Sequence, residues 1–157
     1  MSHDRSLAEP AFPDDDGRVY PALEQAIGTP EAVLGVFGSV RVFVPIVATL
    51  GAGGLTESGG DKDADMAAVL MTGADGRRAL LTFSSLEAMA TWNPDARPVP
   101  VWGQAAAVAA LDEGASAILL DLGSPHFQPI ETDDVRHLAQ GHRLVRTAAG
   151  SAWAAQA

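Results

Sequence analysis

One continuous stretch, residues 65–102, constrains the fold more than any other part of the sequence. Two short apolar runs, at residues 66–71 and 79–83, are bounded by turn residues, which is typical of buried strands. The segment between them, Gly73-Ala74-Asp75-Gly76, tolerates the positive φ values that a tight hairpin needs. The stretch therefore predicts an antiparallel hairpin over residues 66–83.

A short helix and an edge strand are predicted directly after this hairpin. Ser84 and Glu87 have the spacing of a capping box, which predicts a helix that begins at Ser84. Pro94 ends that helix, because the residue before a proline is pushed out of the α region. Pro98 and Pro100 follow in an apolar segment, and their missing N–H groups favour an edge strand there.

The rest of the chain alternates helical and strand patterns. Helices are predicted at residues 20–27 and 104–111, and two more are predicted to begin at Thr29, as N-cap, and at Asp133. Strands are predicted at residues 40–47, with an interruption at Pro45, and at residues 117–122. We predict an α/β fold in which helices pack on a twisted mixed sheet of about five strands. The helices at 85–92 and 104–111 are expected to form right-handed parallel crossovers.

Composition suggests one domain with loose ends. Residues 1–17 are polar and contain three consecutive aspartates, which favours a disordered arm. Residues 18–146 hold the apolar periodic segments and form the predicted domain, and residues 147–157 are expected to be a flexible tail. The glycine-rich, polar residues 51–65 predict a mobile loop.

The charge balance narrows the class of partner. The 157 residues carry a net charge of −10, which argues against binding nucleic acid or an anionic membrane surface. There is no cysteine, so disulfides, thiolate nucleophiles and cysteine-bound zinc are excluded. The acidic N-terminus differs from a signal peptide and no apolar run has membrane-spanning length, so a cytoplasmic protein is expected. One lysine against nine arginines is typical of a high-GC bacterial genome.

Three segments resemble the N-terminal domain of the SseB-like proteins, which are common in actinobacteria and other bacteria. They are RVFVPIV at residues 41–47, the block DMAAVLMTGADGRRALLTFSSLEAMATWNPDARPVPV at 65–101, and EGASAILLDLGSP at 113–125. The resemblance extends over residues 20–145. It implies an α/β domain with a mixed sheet, and it implies no reaction and no catalytic residue.

No motif for catalysis, a cofactor or a metal ion emerges from the sequence. The patterns GxSxG, HExxH and GxGxxG are absent. The glycines of residues 51–54 are better explained as loop glycines than as a nucleotide site. The alternating Asp61, Asp63 and Asp65 are better explained as loop aspartates than as a calcium site. Asp133, Asp134 and His137 are better explained as an acidic first helical turn with a histidine than as a divalent-metal site.

The best candidate binding residues are Trp92, Arg97 and Trp102, which bracket a proline-rich connection. Tryptophan and arginine are over-represented at interface hot spots, so a groove there would take a protein or peptide. The alternative is that Trp92 closes a helix against the sheet, Trp102 caps the core and Arg97 lies in solvent.

The function hypothesis that follows is a non-enzymatic cytoplasmic adaptor. A small-ligand-binding or weakly catalytic protein is the alternative function. An enzyme needs ionisable groups that converge in a cleft, whereas an adaptor presents an apolar patch or an open sheet edge.

Overall fold

The computed structural model describes residues 12–48 and 66–155. The loop predicted at residues 51–65 and residues 1–11 of the predicted arm lie outside these ranges. The helices are α1 (Pro21–Ala26), α2 (Pro30–Val36), α3 (Leu86–Trp92), α4 (Gly103–Asp112) and α5 (Thr132–Ala139), and a 3₁₀ turn spans Phe37–Ser39. The strands are β1 (Arg41–Ala48), β2 (Met66–Ala68), β3 (Leu70–Thr72), β4 (Arg78–Thr82), β5 (Arg97–Trp102), β6 (Ala117–Leu120), β7 (Gln128–Ile130), β8 (His142–Thr147) and β9 (Gly150–Ala155).

These strands form a mixed, α/β arrangement, as predicted. The sheets have the orders β2-β1-β5, β3-β4-β6-β7 and β8-β9, so the described residues hold more strands than the five expected. The first two sheets are joined at Val69, whose N–H donates to the Pro45 carbonyl while its own carbonyl accepts from Leu81. Paired backbone hydrogen bonds between Phe43 and Phe83 join β1 to the end of β4.

The predicted hairpin is confirmed, because β3 and β4 pair antiparallel across the glycine-containing turn. The predicted parallel crossovers are wrong in their connections. Strand β5 pairs antiparallel with β1, and the parallel pair is β4 with β6. Pro98 and Pro100 account for the edge position of β5, since a strand without these N–H groups cannot occupy the centre of a sheet.

Strand β1 runs through Pro45 without interruption. Pro45 lies opposite Pro98, and because neither has an N–H, the β1–β5 ladder must use the residues between the prolines. The N–H of Phe43 is accordingly free to bond to Phe83 on the other side of β1. The outer edge of β5 therefore lacks N–H donors at residues 98 and 100, which agrees with the predicted edge position.

The central strands are buried on both faces. Successive residues of β4, Leu80 and Leu81, belong to separate apolar clusters on opposite sides of the sheet. The larger cluster receives side chains from α1, α2, α4 and α5, and the smaller cluster, around Phe83 and Met89, receives α3. Near-continuous apolar runs in β1, β4 and β6 are therefore required by helices on both faces.

Two segments predicted to lack order have defined contacts. In residues 12–17, the Asp15 carboxylate binds Arg41, and the Gly17 carbonyl accepts a hydrogen bond from Leu86. Residues 150–155 of the predicted tail form β9, which pairs along its whole length with β8. Polar composition misled the prediction in both cases, because a buried cation, backbone pairing and single aromatic contacts from Phe12 and Trp153 hold these segments.

Within the described ranges, no helix combines the length and the apolar character that crossing a membrane would need.

Candidate functional site

A fully buried arginine lies at the start of β1. The Nε and Nη2 atoms of Arg41 donate to the two carboxylate oxygens of Asp15 at 2.7 and 2.9 Å. Its Nη1 donates to the backbone carbonyl of Ser84 at 2.9 Å, and Nη2 also reaches the carbonyl of Arg18. Such a bidentate arrangement uses the planar fork of donors that only arginine provides.

Aromatic rings complete the surroundings of this guanidinium. Its carbon lies 4.2 Å from the ring centre of Phe43 and 5.1 Å from that of Tyr20. The hydrogen bond from Arg41 holds the pKa of Asp15 below its ordinary value, against the opposing effect of burial, and the Gly17 N–H adds to the lowering. The polar residues 12–20 therefore cover a charge that would otherwise be buried without a partner.

A second polar cluster lies where the parallel strands β4 and β6 end. Asp121, directly after β6, is fully buried and has a φ of +59°. Its Oδ1 accepts from the backbone N–H of Ser84 at 2.7 Å, and its Oδ2 accepts from the Ser84 hydroxyl at 2.6 Å. The Nε2 atom of His126 lies 3.1 Å from the same Oδ2. Ser84 joins this cluster to Arg41 through its carbonyl.

The order of these groups differs from that of a nucleophilic triad. Asp121 lies between Ser84 and His126, so the serine hydroxyl donates to a carboxylate and has no imidazole to accept its proton. Ser84 is also only 1% exposed. It is therefore a structural link, and the predicted N-cap role belongs to Ser85, whose hydroxyl accepts from the Ala88 N–H at 3.0 Å.

A groove runs beside His126. Its volume is about 430 Å³, and its walls come from α1, α3 and the loop after β6. The imidazole of His126, whose side chain is 38% exposed, lines this groove and also contacts the buried Asp121.

A larger and more apolar groove lies at Trp102. It has a volume of about 770 Å³ and contains no charged lining residue. Trp102 is 44% exposed, and its ring makes edge contacts with Phe12 at 4.7 Å and Tyr20 at 6.0 Å. The remaining lining residues come from the 3₁₀ turn, α4 and the end of α5: Gly38, Ser39, Gln104, Ala105, Val108, Gln140 and Gly141.

The three predicted binding residues do not converge on this groove. Arg97 and Trp102 occupy opposite ends of β5, about 16 Å apart, and point to opposite faces. Trp92 is half-buried and packs on Phe83, with ring centres 5.4 Å apart. Trp102 alone of the three lines the groove, while Arg97 is exposed at the strand's other end.

The histidine and carboxylates near the last helix have other contacts. Asp133 pairs with Arg136 at 3.2 Å, and burial raises the pKa of Asp134. The Nδ1 atoms of His137 and His142 lie 2.9 Å apart, and the His137 ring stacks on Trp153. Among the residues that the structure describes, no group of three or more potential ligands is placed to hold a metal ion.

The buried polar network was missed by the sequence interpretation, although two signals point to it. Arg41 is a charged residue at the head of a β-branched apolar strand, and Asp121 ends the apolar run AILLD. Charged residues in such positions are rarely buried without a partner. The partners themselves, Asp15 and Ser84, carry no sequence signal.

Comparison with known proteins identifies a family. The family model described as the SseB protein N-terminal domain matches residues 7–137 of the chain. A search of curated proteins found no significant match.

Proposed function

We propose that this chain, which belongs to the SseB protein N-terminal domain family, is a non-enzymatic, cytoplasmic protein-interaction module. The observation that carries the proposal is the exposure of Trp102 at the edge of an uncharged, largely apolar groove. Tryptophan is enriched among residues that dominate binding energy, especially beside pockets that exclude water.

The chemistry of the groove fits a hydrophobic side chain of a partner protein. Ala105 and Val108, the latter 42% exposed, supply an apolar wall next to the Trp102 ring. Gln140 supplies an amide group that can hydrogen-bond a partner backbone, whereas the Nε2 atom of Gln104 already donates to the Ala139 carbonyl. In a chain with a net charge of −10, an uncharged groove lets a partner bury apolar surface without desolvating a carboxylate.

The position of Trp102 in the groove is also fixed by its neighbours. Trp102 ends a strand that pairs with β1 along six residues, and contacts from Phe12 and Tyr20 restrict its ring. Little ordering entropy is then lost when a partner binds. Because the outer edge of β5 lacks donors at Pro98 and Pro100, we expect docking through side chains rather than by strand addition.

A small-ligand-binding or weakly catalytic function is the second candidate. The observation in its favour is the contact between His126 and the buried Asp121 beside a groove at the ends of two parallel strands. Ligands of open α/β sheets often bind at such strand ends. This candidate ranks second because the Asp121 oxygens are occupied by Ser84, whose hydroxyl is not available for chemistry.

Affinity capture from a lysate of the host organism tests the first candidate. We compare the wild-type chain with Trp102→Ala and with Phe127→Ala, a matched exposed aromatic that is 39% exposed and lies outside the groove. Trp102→Ala loses two edge contacts, each worth about 0.5–1.5 kcal/mol beyond the apolar area that it buries. Because 44% of the residue surface is exposed, the chain should remain folded. Thermal melting of each variant verifies this before capture.

Proteins recovered by the wild type and by Phe127→Ala, but lost with Trp102→Ala, support the proposal. Identical recovery with all three chains contradicts it. The second candidate is favoured instead if small molecules extracted with the wild type disappear on His126→Ala.

A further inference from the structure

Strand β9 has one unpaired backbone edge. The carbonyl of Gly150 accepts from the Thr147 hydroxyl at 2.6 Å, so the backbone polar groups of this residue face β8. Because these groups alternate in direction along an antiparallel strand, those of Ser151, Trp153 and Ala155 point away from β8. Within the described residues, β8 is the sheet neighbour of β9 and none lies on its other side.

Three of the other sheet margins, those of β5, β7 and β8, are protected. Strand β5 carries Pro98 and Pro100, and β7 carries Pro129. The outer edge of β8 packs on α2 so closely that a Cβ added at Gly35 would lie 2.9 Å from the Leu144 carbonyl oxygen. Prolines and covering helices are common means of preventing strand addition. Strand β9, with the sequence GSAWAA, has neither a proline nor a charge.

Two arginines border this edge. Arg143 lies opposite Ala154 and Arg146 lies opposite Ser151 on the neighbouring strand β8. Both side chains are exposed, and neither has an ion pair with any residue in the described ranges. Since Ala154 and Ser151 are small, each guanidinium can extend across β9 toward a strand added beyond it.

We propose that β9 takes up an extended acidic segment of a partner protein as an additional strand. The outward backbone groups of Ser151, Trp153 and Ala155 would pair with the partner backbone, which supplies affinity in strand addition. Arg143 and Arg146 would pair with two carboxylates, one on each face of the added strand, and so select an acidic sequence.

A second copy of the chain fits this edge less well. Two β9 strands paired about a two-fold axis would place Gly, Ser, Ala and Trp side chains beside the arginines, and none of these is acidic. The copy would also bring its own net charge of −10 to an acidic molecule. An extended acidic peptide can also pair with the arginines, and it carries far less charge than a whole second chain.

The inference rests on the proposed role as an interaction module, but it concerns a surface other than the Trp102 groove. The probe is a fluorescein-labelled peptide of about ten residues, rich in valine and threonine, with two aspartates three positions apart. A matched peptide has asparagine at both positions. Binding to the full chain is followed by fluorescence anisotropy at low and high salt.

Ser151→Pro removes one outward N–H and no donor of the β8–β9 ladder, whereas Ser151→Ala keeps that N–H and is its control. The double variant Arg143→Gln/Arg146→Gln tests the charge and alters only exposed side chains. We expect the aspartate peptide to bind about tenfold more weakly to Ser151→Pro and to the double variant, a change of about 1.4 kcal/mol. Ser151→Ala and Trp102→Ala should bind like the wild type.

Three results would overturn the inference: equal binding of the aspartate and asparagine peptides, binding that Ser151→Pro leaves unchanged, or no binding at all. Sedimentation that shows a wild-type dimer, converted to a monomer by Ser151→Pro, would assign the edge to a second copy instead. Because the Trp102 groove is tested by separate variants, either proposal can fail while the other stands.

Discussion

Arg41 and Trp102 lie opposite each other on β1 and β5, yet their burial is the reverse of what their polarity suggests. The arginine is completely buried, whereas the indole is 44% exposed. Both lie next to residues 12–20, which supply the Asp15 carboxylate to one and the rings of Phe12 and Tyr20 to the other.

The two residues show that a polar side chain is buried here when its hydrogen-bonding groups find partners. The guanidinium of Arg41 finds a carboxylate, two carbonyls and two aromatic faces, so its transfer from water is compensated. Trp102 has no comparable enclosure, and its exposed surface can still be buried by a partner. The first residue is tied to stability, and the second is the residue that we propose for binding.

Among the variants that test this contrast, Arg41→Ala should have the largest effect on stability. We expect a loss of about 3–5 kcal/mol in the free energy of unfolding, because the change leaves Asp15 without its cation and creates a cavity. Urea denaturation measures the loss. Arg18→Ala, whose side chain is 87% exposed, is the matched control and should stay within about ±0.5 kcal/mol.

Arg41→Lys separates charge from geometry in the same measurement. Lysine keeps the positive charge but cannot donate in a planar fork, so it should recover only part of the stability. A variant as stable as the wild type would mean that charge alone is needed at this position.

Asp15→Asn tests the anion of the pair through pH. The lowered pKa of Asp15 means that its contribution is present above the unfolded-state value of about 3.9 and is lost as pH falls through the folded-state value. We expect the variant to be less stable by about 2 kcal/mol near neutral pH. The gap from the wild type should close as the pH falls below about 4.

Urea midpoints of both chains at neutral and acidic pH provide this comparison. Burial raises the pKa of Asp134, so protonation of that residue favours the folded state at low pH and acts in the opposite direction. It acts equally in both chains and cancels in the difference. A gap that does not change with pH would contradict the role given to Asp15.

Ser84→Ala and Ser85→Ala compare a buried link with a helix cap. Ser84→Ala removes a donor to the buried Asp121 carboxylate and should cost about 2 kcal/mol. Ser85→Ala removes the N-cap acceptor of α3 and should cost about 1 kcal/mol. Chemical denaturation of the two single variants gives the order, and a greater loss at Ser85 would show that capping dominates.

Arg97→Ala is expected to have the smallest effect. The side chain is exposed and has no ion pair among the described residues, so stability should change by less than about 0.5 kcal/mol. Because Arg97 and Trp102 point to opposite faces of β5, capture that depends on Trp102 should also be unaffected. Lowered recovery of the same partners would extend the binding surface along the strand.

Local elements of the fold could be predicted because their causes are local. The β3–β4 hairpin follows from a turn sequence between two apolar runs, and the edge position of β5 follows from two prolines. Helices α1 and α2 begin at prolines within one or two residues of their predicted starts. Each of these features depends on residues that are close together in the chain.

The candidate sites could not be predicted in the same way, because they bring together residues that are far apart in the sequence. Arg41 meets Asp15 across 26 positions, and Ser84 meets Asp121 across 37. No periodicity connects such partners, so the sequence predicted a helix cap at Ser84 where the folded chain needs a buried donor. Trp102 was identified by its residue type, but its separation from Trp92 and Arg97 follows from the pairing of β5 with β1.

Sequence alone was sufficient for the β3–β4 hairpin, for the helices that begin at prolines and for the edge position of β5. Tertiary structure decided which charges are buried, which sheet edges are covered and which aromatic ring stays exposed. The physical reason is that propensity and capping act within a few residues, whereas burial and hydrogen-bond satisfaction depend on everything that packs around a group.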